Sequence, residues 1–185
     1  RAADLQLDAR RVALAGQSSG GHLAMLAAMR PHDPRYAAIG IDGTTADASV
    51  RCVAMTWPVI NPLSRYRHAK RLRASDNPPA WTAGIPERHD LYWQTEANMA
   101  EGNPMLALER GEDLQTPPAI WVQGRPDPVH DYRDPESALD LNEPQRFAQH
   151  YAKAGGSCEI VYTEFSTRAV GSLDPVSTFL AEQLL

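Results

Sequence analysis

Apolar residues along the chain come in short dense runs, separated by polar stretches rich in Gly, Pro and Asp. Arg11-Val-Ala-Leu-Ala15 stops at Gly16 and reads as a buried strand. Ser19 to Met29 is small and apolar, and predicts a closely packed helix ended by Arg30-Pro31. Residues 31–50 are polar and predict a loop. Cys52-Val-Ala-Met-Thr-Trp57 is a second strand halted by Pro58, and Pro118-Ala-Ile-Trp-Val-Gln123 a third halted by Gly124. From Asn142 to Ala154 the apolar positions recur at helical spacing, with Asn142 as N-cap, Pro144 in the first turn and Gly155-Gly156 as the stop. Glu159-Ile-Val-Tyr-Thr-Glu-Phe165 alternates like a fourth strand, and Asp174-Pro175 opens a last helix running to Leu185. No internal repeat is visible.

Dense strands alternating with helices imply a mainly parallel sheet with helices on both faces, an α/β three-layer αβα sandwich. In such sheets chemistry gathers beyond the carboxyl ends of the strands. The places to inspect therefore follow residues 15, 57, 123 and 165.

Composition narrows the classes. With 185 residues, 43% of them hydrophobic, the chain can bury a core and is neither a disordered tail nor a low-complexity polymer. A net charge of -5 argues against general nucleic-acid or anionic-membrane binding. No run approaches the ~18 apolar residues of a membrane span. Cys52 and Cys158 sit in strand-like runs and read as small buried side chains, not a disulfide framework. There is no His-Glu-x-x-His and no paired cysteine spacing, so no metal and no cofactor are implied.

The first strand end carries the sharpest signal. Gly16-Gln17-Ser18-Ser19-Gly20 fits G-x-S-x-G between a strand and a helix, the context of a nucleophile elbow. Ser18 must project above the sheet from a sharp turn, which calls for small neighbours at Gly16 and Gly20. The backbone N–H of Ser19 becomes an oxyanion donor at the amino end of the helix. Gly21 lets that helix pack against the neighbouring strand.

The run Arg11-Val-Ala-Leu-Ala-Gly-Gln-Ser-Ser-Gly-Gly-His-Leu-Ala24 resembles the elbow of the α/β-hydrolase superfamily, in its group of hormone-sensitive-lipase-like esterases and small bacterial carboxylesterases. The resemblance runs from about Arg11 to the end, with the segment 59–115 less recognisable. It implies a serine hydrolase acting on carboxylic esters through an acyl-enzyme, with the order Ser, Asp, His along the chain. Gln123-Gly124-Arg125-Pro126-Asp127 is similar to the family's acid turn, which makes Asp127 the carboxylate that orients the base, with Asp131 and Asp134 as competing candidates and a turn-forming role before Pro128 as the alternative. The family's histidine is expected after the fourth strand. This chain reads Phe165-Ser-Thr-Arg-Ala-Val170-Gly171-Ser172 there, and no histidine follows His150. Restoring a histidine at Ala169 or Val170 is the corresponding gain-of-function test.

Other histidines are candidates for a surrogate base. His130, three residues after Asp127, lies at the correct edge of the sheet; its default reading is a surface loop residue. His22, one turn beyond Ser18, reads as a packing residue, and His150 as a helix-face residue. His32, His68 and His89 fall in loop or lid-like sequence.

Residues 59–115, after Trp57-Pro58, have the length and aromatic content of a cap or lid, with a helix expected from Glu87 to Ala100. The alternative is an ordinary surface insertion. Trp57 is the candidate substrate-binding residue. The basic run Arg65-Tyr-Arg-His-Ala-Lys-Arg-Leu-Arg73 reads as a solvated helix face, with an acidic substrate or partner as the functional alternative.

The chain starts at Arg1, just before the elbow strand, and shows neither a leader nor the strands and glycine-rich oxyanion turn that precede an elbow in this family. Two expectations follow: a cytoplasmic setting, and a second polypeptide that supplies the missing half and covers an otherwise open sheet edge. Oligomerisation is the related possibility. Two further readings stay open. One is a hydrolase-fold protein that has lost catalysis and binds a ligand or partner. The other is amidase or peptidase chemistry on the same fold.

Overall fold

A computed structural model describes residues 4–36, 40, 43, 47–164 and 174–185. Four strands form one parallel sheet in the order β1-β2-β3-β4. They are β1 (Ala13–Gln17), β2 (Cys52–Thr56), β3 (Ala119–Arg125) and β4 (Cys158–Glu164). The parallel register runs Gly16 to Met55, Met55 to Trp121 and Trp121 to Ile160. Sequence order and spatial order coincide, so every connection is a crossover, and each brings at least one helix onto a face.

The alternation of side chains along each strand divides the core in two. Val53, Met55, Ala119 and Trp121 point toward α1 (Ser19–Met29) and its companions, where Met25, Met29, Phe147 and Tyr151 are fully or almost fully buried. Cys52, Ala54, Ile120 and Val122 point the other way, against Phe179, Val176, Leu180 and Leu184. Both faces of β2 are thus buried, which is why its sequence is apolar from Cys52 to Met55 and does not alternate. β1 pairs with β2 alone among the described strands, and three of its residues are half-buried and two exposed.

The insertion between β2 and β3 is helical. It holds α2 (Pro62–Arg73), a short 3-10 turn (Ala80–Thr82), α3 (Ile85–Trp93), α4 (Glu96–Glu101) and α5 (Pro104–Glu109). The single helix expected from Glu87 to Ala100 is two helices. The chain breaks at Gln94 (φ 66°), and the Thr95 side chain caps the new start by accepting from Asn98 N–H. Asn61 and Asn103 cap α2 and α5 in the same way, and Asn103 also donates to Asn61 Oδ1 at 2.8 Å, tying the two helix starts together.

After β3 come α6 (Glu143–Lys153), capped by Asn142 as expected, and α7 (Asp174–Leu184) after β4. The basic run lies on α2, and its outer arginines are not merely solvated. Arg67 pairs with Glu96 and Glu136 at 2.6 and 2.5 Å, Arg71 with Glu136 at 2.9 Å, and Arg73 with Glu87. These pairs hold α2 to α3, to α4 and to the loop after β3. Cys52 is buried as expected, and Cys158, at the start of β4, is half-buried; both are free thiols. Among the described residues no helix is long and apolar enough to cross a membrane.

Candidate active site

The turn after β1 is set by backbone geometry. Ser18 has φ 51° and ψ -116°, a conformation that side-chain-bearing residues rarely adopt. The strained peptide is held by three backbone bonds. Ser18 N–H donates to the Thr56 carbonyl at 3.0 Å, and the Ser18 carbonyl accepts from His22 and Val59 N–H groups at 3.2 and 3.1 Å. Space around the turn is minimal. A Cβ on Gly16 would lie 2.2 Å from the Gly20 carbonyl oxygen, and one on Gly21 would lie 2.8 Å from Pro58 Cβ. Gly20 differs from expectation, since a Cβ there would meet nothing within 4 Å. The crowding that demands glycine is therefore at 16 and 21.

Ser18 is half-buried and opens onto a cleft of about 390 Å³. Ser19 is the first residue of α1, so its N–H belongs to the group that lacks an intrahelical acceptor. The cleft is walled by α1 through His22 and Leu23 and by the insertion through Arg65, His89, Tyr92 and Trp93. Trp57, expected at the substrate, is only 8% exposed and stands outside this lining. Its backbone N–H bonds to the Val122 carbonyl at 2.8 Å, which places it at the β2–β3 junction.

His22 anchors the insertion. Its Nε2 lies 2.6 Å from the Gly102 carbonyl oxygen, which can only accept, so Nε2 carries the proton. Its ring also meets Trp93 edge-on at 5.5 Å. Burial lowers its pKa, outweighing the opposing Gly102 bond, and keeps the ring neutral. This is the packing role expected for it.

The turn after β3 assembles side chains. Asp127 Oδ2 lies 2.8 Å from His130 Nδ1 and accepts from Gln123 Nε2 at 3.0 Å; Oδ1 accepts from Val129 N–H at 3.0 Å and from His130 N–H at 3.3 Å. Gln123 is itself held by Trp121 Nε1–H at 3.0 Å. Burial pushes the Asp127 carboxyl up, but His130, Gln123 and Val129 together outweigh it and hold its pKa below the ordinary value. Asp127 stays ionised and accepts from His130 Nδ1. His130 Nε2 is buried with no hydrogen-bond partner among the described residues.

His130 is thus not a surface loop residue; its side chain is 10% exposed. Asp131 and Asp134 are otherwise engaged, Asp131 with Arg125 at 2.6 Å and Asp134 with Arg146 at 3.3 Å. His150 lies on α6, 3.2 Å from Glu109. His68 stacks on Tyr132 at 4.0 Å, and His89 Nδ1 is 2.9 Å from the Ile85 carbonyl.

Asp127 and His130 therefore come together, and Ser18 comes to the same edge of the sheet, one strand removed. The Ser18 hydroxyl makes no hydrogen bond with a described residue. His130 lines a small neighbouring cavity of about 10 Å³, and Val59 and Arg65 line both spaces. The positions where a terminal histidine was expected, Ala169 and Val170, lie outside the described residues. Sequence reasoning passed over Arg65 as an individual residue. The only signal was its membership in the basic run, which does not separate it from Arg67, Arg71 and Arg73. Among the described residues no cluster of His, Cys, Asp and Glu is arranged to hold a metal ion.

A family profile described as alpha/beta hydrolase fold matches residues 1–165. Solved structures of similar shape include a butyrate-bound esterase from Thermogutta terrifontis, 21% identical, with TM-score 0.57 and 98% of this chain covered. Carboxyl esterase 2 from Tuber melanosporum is 13% identical, with TM-score 0.63 and 99% of this chain covered. A thermostable esterase from Pseudomonas putida is 20% identical, with TM-score 0.56 and 88% covered. The chain spans 59%, 57% and 44% of those three proteins, respectively. No protein with a curated description matches it.

Proposed function

This chain belongs to the alpha/beta hydrolase family, and on that premise we propose that it hydrolyses carboxylic esters, with Ser18 as nucleophile and the Asp127–His130 pair as its base. The observation that carries the reading is the unpartnered, buried Nε2 of His130, whose other nitrogen is held by an ionised carboxylate. This is the arrangement a general base needs before substrate arrives.

His130 Nε2 takes the Ser18 hydroxyl proton as the oxygen attacks the ester carbonyl carbon. Asp127 stabilises the imidazolium formed. The Ser19 N–H and the positive end of α1 stabilise the oxyanion. The proton on Nε2 then passes to the departing alkoxide, and water repeats the sequence on the acyl-enzyme. The gap between Ser18 and His130 closes in the substrate complex, since catalytic hydrogen bonds are often long in unliganded enzymes. Residues 59–115 act as the cap, because Arg65, His89, Tyr92 and Trp93 in the cleft wall all come from them. The likeness to solved structures named as esterases supports esters rather than amides as the substrate class. A panel of acyl esters and matching amides tests that preference, and faster turnover of the amides overturns it.

Reaction with a fluorophosphonate probe tests the nucleophile. Covalent labelling of Ser18, abolished in Ser18→Ala, is the expected result; absence of labelling in folded protein overturns the reading. One observation favours a second reading, a binding protein without turnover: the Ser18 hydroxyl has no described histidine within hydrogen-bond reach. Ligand binding in the cleft with no labelling and no ester turnover is its signature. The second polypeptide expected from the sequence stays a proposal, resting on the single-sided pairing of β1 and the exposure of Val12 and Leu23 nearby. A soluble, cooperatively melting monomer overturns it.

A further inference from the structure

The twelve described residues that line the Ser18 cleft include two arginines, Arg65 and Arg88, two histidines, and no aspartate or glutamate. That is unusual for a chain of net charge -5. The two arginines are also unlike their neighbours. Arg67, Arg71 and Arg73, on the same helix as Arg65, all pair with carboxylates. The Arg65 side chain makes no ion pair or hydrogen bond with a described residue, and its Nε is fully buried. Arg88 is exposed, and its Nε donates to the Gly84 carbonyl at 3.0 Å, within its own helix.

A guanidinium partly withdrawn from water without an ion pair is costly. Only the attraction of Tyr132 and Asp127 offsets it. Neither bonds to it, and the hydrogen bonds of Asp127 go to His130, Gln123 and backbone N–H groups. Arg88, the other charge that bears on Arg65, has the same sign. Arginine presents a planar fork suited to a carboxylate, and beside Ser18 that fork faces whatever occupies the cleft.

We propose that Arg65, assisted by Arg88, forms an anion-recognition subsite, and that the ester cleaved at Ser18 carries a carboxylate of its own. This rests on the ester-hydrolase reading above but concerns substrate class. A half-ester of a short dicarboxylic acid places the anion on the acyl side, and an acylated hydroxy acid places it on the alcohol side. Both share the same chemistry toward Arg65.

The test compares matched esters by proton release: monomethyl glutarate against methyl pentanoate for the acyl side, and 3-acetoxypropanoate against propyl acetate for the alcohol side. At least one anionic member is expected to exceed its neutral match in kcat/KM by roughly tenfold at low salt, with the difference shrinking as salt rises. Arg65→Gln is expected to erase that preference, read as the anionic-to-neutral ratio of kcat/KM, and Arg65→Lys to restore part of it. Arg88→Gln, at an exposed position, lowers the preference without a folding risk. Equal rates for both members of both pairs overturn the subsite, as does an anion preference that survives Arg65→Gln. Calorimetric binding of monomethyl glutarate to Ser18→Ala separates the two proposals. Binding that depends on Arg65, with no turnover in the unsubstituted protein, keeps the subsite and removes the hydrolase reading. Neutral-ester turnover with no Arg65-dependent binding does the reverse.

Discussion

The ends of β1 and β3 carry the two halves of the candidate site, and they are built by different means. At the end of β1 the backbone does the positioning. Ser18 sits at φ 51°, fixed by bonds to Thr56, His22 and Val59, and its hydroxyl is left without a described partner. At the end of β3 side chains do it, in a relay from Trp121 through Gln123 and Asp127 to His130. The first end tolerates no added bulk at Gly16 or Gly21. The second tolerates almost no change in hydrogen-bonding capacity. Reactive groups can be held ready by either route, and the two fail in different ways.

Substitutions can break this contrast in order of size. Ser18→Ala should abolish ester turnover, a loss of about 10⁴-fold or more, while leaving the melting temperature nearly unchanged. Steady-state kinetics beside calorimetry checks both halves, and residual turnover near the parent rate would mean another nucleophile. His130→Gln and Asp127→Asn should each cost roughly 10²- to 10⁴-fold in kcat. The double variant should cost little more than either alone, because the pair acts as a unit. Additive losses would separate Asp127 from His130.

The backbone-built end is tested by its glycines. Gly16→Ala forces a Cβ to 2.2 Å from a backbone oxygen, and should destabilise the protein by roughly 3 kcal/mol or more. Gly20→Ala has open space in helix α1 and should stabilise by roughly 0.5–1 kcal/mol. Opposite signs in denaturant melts at two glycines of one motif is the expected pattern; equal destabilisation would contradict the packing at the elbow.

The side-chain-built end should announce itself in the pH dependence of stability. Asp127 has a pKa held below its ordinary 3.8, so its contribution is present above that pH and fades as pH falls below it. Glu143, 2% exposed beside the His130 cavity, goes the other way. Burial raises its pKa from 4.5 to about 7, against the attraction of Arg146 at 2.9 Å and with Asp134 adding to the rise. Between those values the unfolded chain has lost a proton that the folded chain keeps. Stability therefore declines as pH rises from about 4.5 to about 7. Glu143→Gln should flatten that decline, by an amount on the order of 2 kcal/mol, in melts taken at pH 5 and pH 8. An unchanged slope would place the titration elsewhere.

Much of this was legible beforehand. Helix α1 lies at the predicted Ser19–Met29, and each strand within about two residues of its run. The tight turn at Ser18 was legible because backbone crowding leaves glycine as the only solution at Gly16 and Gly21, and a glycine pattern can be read off a sequence. The break at Gln94 was not, since a positive φ at a residue other than glycine leaves no compositional trace. Trp57 was misread for a related reason. Adjacency to a strand end does not say which way a ring turns, and this one turns into the protein.

By itself the sequence determined the parallel sheet and the helices on its faces, and it singled out Ser18 and Asp127 as candidates, because periodicity, breakers and glycines act over a few neighbouring residues. Only the tertiary structure decided that His130 is largely buried, with no described partner at Nε2. Only it separated Arg65 from three arginines of the same helix. Both distinctions depend on which partners distant segments bring, and a hydrogen bond made or withheld across the fold has no signature in local order.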